Sequence, residues 1–166
     1  MSIVRGATPM CIRIQTVPLA VMLLAAAVPL SWAGEDENTC SFLTSAQVGA
    51  ALGEPVDGGK QVATRMCEWK SAAGNNSVML TVFGQMGSLS PLDRFMNSKK
   101  EVAGITKTPA NGVGDDAIFI QVMGGPSLNV RSKSSAFQIR VSGSGLSEDQ
   151  AKQAEKTLAQ QVVLKL

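Results

Sequence analysis

Cys40 and Cys67 carry the clearest chemistry in this chain. The 166-residue sequence holds three cysteines, and Cys11 falls in an N-terminal stretch that reads as a removable leader. Cys40 and Cys67 are then an isolated pair. Active dithiols usually stand close together as Cys-x-x-Cys, whereas these two lie far apart in the sequence. A structural disulfide is therefore the expectation in an oxidising compartment. Closing a loop of this length stabilises a fold by about 2–4 kcal/mol, chiefly by restricting the unfolded chain.

The remaining candidates for chemistry are weaker. The chain has no His and no Tyr, so with both cysteines bridged it lacks the commonest bases, nucleophiles and imidazole or thiolate metal ligands. A His-dependent triad is excluded, and hydrolysis would have to rest on carboxylates or on Ser with Lys. Gly112-x-Gly114-x-x-Ala117 fits a dinucleotide fingerprint, but that motif must open a helix and here it leads into the apolar strand pattern Ala117 to Met123. Asp115 and Asp116 are adjacent, so in an extended chain they point to opposite sides. They also lack the spacing of a calcium loop, and a turn capped by Asp accounts for them better. Asn75-Asn76-Ser77 is a glycosylation acceptor triplet in a predicted turn. Arg65, Arg131 and Arg140 fall on predicted strands, where a polar sheet face could collect some of them as an anion site or leave them solvated. Met66, Met79, Met86, Met96 and Met123 read as core filling, with an adaptable Met-lined groove as the alternative. No catalytic, cofactor-binding or metal-ligating residue is assigned.

The leader is residues 1–33. Arg5 and Arg13 precede the apolar run Val17 to Leu30, which ends in Ser31-Trp32-Ala33. A basic region, an apolar region and small residues at both cleavage subsites make a secretory signal peptide cut between Ala33 and Gly34. The run is interrupted by Pro18 and Pro29 and falls short of the ~20 residues a spanning helix needs. Loss of Arg5 and Arg13 from 15 basic residues leaves them equal to the 13 acidic ones. Such a balance, with scattered Lys and Arg, does not support a nucleic-acid-binding face.

Residues 34–39 read as a flexible lead-in and 40–166 as one domain. Thr44 with Gln47 predicts a capping box, with Leu43 and Val48 at the staple positions and Gly53 as the stop. Gln61 to Lys70 alternates as one strand, with Cys67 and Trp69 facing the same way, and Val78 to Phe83 returns beside it. Ser90 and Pro91 open a second helix with Leu92, Phe95 and Met96 as its buried stripe. Ile105 to Thr108 is an edge strand. Ala117 to Met123, Leu128 to Arg131 and Ala136 to Ser142 form an antiparallel meander, turned by Gly124-Gly125-Pro126. Ser147 with Gln150 caps a terminal helix whose core face is Ala151, Ala154, Leu158 and Val162. The class is α+β: an antiparallel sheet of about six to seven strands with three helices packed on it, covering one face, and stapled by the disulfide.

The pattern Cys40-Ser-Phe-Leu43-Thr44, then Ala51-Leu52-Gly53-Glu-Pro-Val56, then Cys67-Glu-Trp69 resembles a group of small bacterial exported domains of unknown function, many of them lipoproteins. Gly112 to Ala117 and the closing amphipathic helix are similar to their second halves. The resemblance spans nearly all of the chain after the leader and implies a disulfide-tied α+β domain at the cell envelope, with no established activity to transfer. Gly34 stands where a lipoprotein would carry its lipidated Cys, so anchoring is not implied. The expectation is a periplasmic or secreted, non-enzymatic binding or protein-interaction module. Its partner would be an envelope protein or a small ligand, with no nucleic acid, no cofactor and no stable membrane anchor. A small envelope hydrolase and a structural accessory subunit are the alternatives.

Overall fold

Each of the three helices opens on a side chain that accepts from its own first turn. The computed structural model describes residues 38–166. The leader, its cut between Ala33 and Gly34, Cys11 and most of the lead-in lie outside the described residues. In α1 (Ser45–Leu52) Thr44 and Gln47 form a reciprocal capping box, as Ser90 and Asp93 do for α2 (Pro91–Lys99) and Ser147 and Gln150 for α3 (Glu148–Val163). Each such cap contributes about 1 kcal/mol. Gly53 ends α1 in the left-handed region, at φ 75°.

Seven strands form one sheet: β1 (Lys60–Ala63), β2 (Met66–Lys70), β3 (Asn76–Val82), β4 (Lys107–Pro109), β5 (Asp116–Val122), β6 (Gly125–Ser132) and β7 (Ser135–Gly143). Their order is β1-β2-β3-β7-β6-β5-β4, and every neighbouring pair is antiparallel. Two meanders, one from each half of the chain, therefore meet where β3 pairs with β7. The outermost strands are short, and Pro109 blunts the β4 edge.

Alternation along the strands sorts the side chains between two faces. Val78, Leu80, Leu128, Val130, Phe137, Ile139 and Val141 belong to a large core with α1 and α3. Phe83, Ile118 and Ala136, pointing the other way, pack with Phe95 of α2. The helices thus cover both faces and not one, because α2 crosses from the centre of the sheet to its β4 edge on the side opposite α1 and α3.

Cys40, in a short 3-10 turn at Thr39–Phe42, is bonded to Cys67 of β2, with 5.1 Å between their Cα atoms. Cys67 and Trp69 face the same way, both buried. The segment 61–70 is a hairpin and not one strand: it turns at Thr64 and Arg65, the latter at φ 62°. An arginine in the left-handed region leaves no glycine or asparagine to announce the turn. The predicted turn at 124–126 is likewise shorter, since Gly125 and Pro126 already pair with Val122 and Gln121. The methionines do not fill the core. Met66 and Met79 are half-buried, and Met86, Met96 and Met123 are exposed, so Met96 leaves the α2 stripe to Phe95 with half-buried Leu92.

Candidate functional site

The sheet parts at one place. β6 and β7 pair from Ser132↔Ser135 to Leu128↔Ile139, and there the ladder ends although both strands continue. Carrying the register on sets Pro126 opposite Val141. Proline has no N–H to donate, so β6 offers the Val141 carbonyl no ladder bond and the strands separate. The Val141 N–H is taken instead by Glu155 of α3, whose Oε1 accepts it at 2.9 Å.

Glu155 sits on the apolar stripe of α3, among Ala151, Ala154, Leu158, Ala159 and Val162, and is 0% exposed. Its Oε2 has no hydrogen-bond partner. Burial pushes this carboxyl from the ordinary 4.5 up to about 8, against the opposing pull of the Val141 N–H, Arg140 and Lys152. The group is therefore a neutral acid at pH 7, which is how a protein accommodates a carboxyl removed from water.

A cleft of about 290 Å³ opens where the strands part, lined by Gln121, Gly125, Pro126, Val141, Ser147 and Ala151 among others. Val141 joins it to Glu155 directly, and Ala151 is one turn before Glu155 on α3. The polar side chains at its α3 border are already engaged. Ser147 Oγ accepts the Gln150 N–H at 3.3 Å, and Lys152 Nζ donates to Glu148 Oε1 at 2.6 Å. That arrangement commits the local Ser and Lys to a cap and an ion pair. On the opposite face, Ser127 Oγ, Asn129 Oδ1 and Arg140 Nε are buried without protein partners, while Arg140 Nη2 donates to the Met123 carbonyl.

The candidates read from sequence are dispersed. Asp115 Oδ2 accepts the Lys133 N–H at 2.7 Å and stands 3.7 Å from Arg131, whereas Asp116 pairs with Lys99 at 2.7 Å. Arg65 belongs to the β1–β2 turn and packs on Gly84, so the three arginines have three different partners. Asn75 is exposed in its turn and Asn76 is buried. Among the described residues no group of three or more His, Cys, Asp or Glu is placed to hold a metal ion. Glu155 was not singled out by sequence, although a lone acid four residues after Ala151 and one after Ala154 falls inside the predicted apolar stripe.

Gly112 to Ala117 runs into β5, and its second glycine has a packing duty. Gly114 is at φ 58°, and a Cβ there would lie 2.5 Å from the Arg131 carbonyl oxygen. Gly114→Ala should destabilise the fold by about 2 kcal/mol or more through strain and overlap, read as a lower midpoint in urea. An unchanged midpoint would show that the loop adapts freely.

Comparison with known proteins gives no match to a family model, to a curated protein or to a solved structure.

Proposed function

We propose that the chain acts outside the cytosol as a non-enzymatic binding or protein-interaction domain, and that the cleft between β6 and β7 is where it binds. The observation that carries this reading is the parted ladder itself. It leaves a concave space bordered by backbone, glycines, neutral side chains and Glu148, whose charge is paired with Lys152. Such a surface holds a ligand by shape and a few hydrogen bonds. The Cys40–Cys67 bridge supports an oxidising location, as do the leader pattern and the resemblance to exported envelope domains. No helix among the described residues is long and apolar enough to cross a membrane.

Gln121→Trp fills the cleft from β5. Tagged chain expressed with its leader should capture an envelope partner that the Gln121→Trp form loses at least tenfold, at unchanged melting temperature. Equal capture by both forms would place binding elsewhere.

A further inference from the structure

Glu155 stands where a β6 ladder partner would be, and this position makes it more than a buried acid. Resting on the reading of the cleft as a binding site, we infer that Glu155 is a proton-operated latch on that cleft: neutral, it ties β7 to α3, and ionised, it draws water in and loosens the first turns of α3.

Three observations converge. The Val141 N–H, left without a β6 acceptor beside Pro126, is satisfied by Glu155 Oε1 alone. Oε2 has no partner, so a charge placed on this carboxyl meets one protein donor, the Val141 N–H at Oε1, and must recruit water at Oε2. Val141 and Ala151, which flank the acid on β7 and α3, both line the cleft, which makes that space the path for water.

The surroundings permit little other compensation. The charged groups that act on Glu155 are Lys152 on α3 and Arg140 on β7. Lys152 is bound to Glu148, and Arg140, alternating with Ile139 and Val141, leaves the opposite face of the sheet toward Met123. α1, packed beside α3, carries no charged residue between Ser45 and Leu52, and β6 presents Leu128 and Val130 on this face. A carboxylate here therefore costs more than one at the surface, and hydration through the cleft relieves it.

The test needs no ligand. In protein with labelled Glu, Ala, Val and Leu side chains, the Glu155 carboxyl carbon gives its own titration midpoint. The relaxation that a soluble nitroxide causes at the Val141, Leu146 and Ala151 methyls reports access of solvent to the cleft. The expected result is a Glu155 midpoint above pH ~7, with a twofold or greater rise in methyl relaxation sharing that midpoint, and no such rise in Glu155→Gln. A Glu155 midpoint in the ordinary carboxylate range overturns the inference. So do methyls that stay protected through the titration, or that respond equally in the variant. A silent cleft that still captures a partner through Gln121 would remove the latch and leave the binding reading intact, and a responsive cleft without a partner would do the reverse.

Discussion

Raising the pH from about 5 to about 8.5 should lower the melting temperature of this domain by roughly 10 °C, and Glu155→Gln should remove most of that slope. The sign follows from where the proton is held. In the unfolded chain the carboxyl ionises with its ordinary value of 4.5, whereas in the fold it keeps its proton up to about 8. Between those limits the unfolded state binds fewer protons, so stability falls as the pH rises. The contribution is fully present below the lower limit and gone above the upper one. Its ceiling is about 4–5 kcal/mol. The window is unusually free of other side chains, because the chain has no histidine and the Cys40 and Cys67 thiols are bridged. Glu155→Gln keeps an oxygen for the Val141 N–H and should be the more stable form at pH 8.5. Glu155→Leu, which leaves that N–H without an acceptor, should lose about 1–3 kcal/mol relative to Gln at that pH. A flat profile in the native protein, or the same slope in Glu155→Gln, would count against the buried neutral acid.

Opening the Cys40–Cys67 bond should cost about 2–4 kcal/mol, whether by reductant or in the Cys40→Ala and Cys67→Ala double variant. The bond spans 27 positions and holds the Thr39–Phe42 turn against β2. Phe42 and Leu43 are buried in the same core as Cys67, Trp69 and α1, so freeing Cys40 also loosens the entry to that helix. Urea unfolding followed by Trp69 fluorescence, with and without reductant, measures the difference directly. Reductant should leave the double variant unaffected. Equal midpoints for the oxidised and reduced forms would mean that packing of Phe42 and Leu43 alone secures the segment.

What the sequence disclosed was what local chemistry writes locally. The caps at Thr44, Ser90 and Ser147 are side-chain oxygens answering amides two or three residues away, so their patterns survive in any context. The inward set Phe137, Ile139 and Val141 follows from period two alone. The disulfide needed only compartment and count. The failures are places where distant packing decided. Nothing beside Arg65 marks a turn, and only its placement next to Gly84 makes a left-handed arginine intelligible. Which face α2 takes depends on the crossover to β4, which no helical period encodes. Pro126 was visible as a breaker, yet its effect falls on Val141, a strand away, and Glu155 acquires its role only because that gap exists. The acid itself interrupts an otherwise apolar stripe, and that interruption was the legible trace of the candidate site.

The pairing of β3 with β7 carries a consequence for how the molecule comes into being. Asn76–Val82 lies at the middle of the sheet, yet one of its two neighbours, Ser135–Gly143, is translated long after it. Until that later segment arrives, Val78, Met79 and Leu80 present an open edge able to add a strand from any passing chain. Assembly governed by such remote partners is slow, and a polypeptide ending before Ser135 should clump instead of remaining as a smaller folded unit. Completion of the C-terminal half is thus a condition for solubility of the N-terminal half.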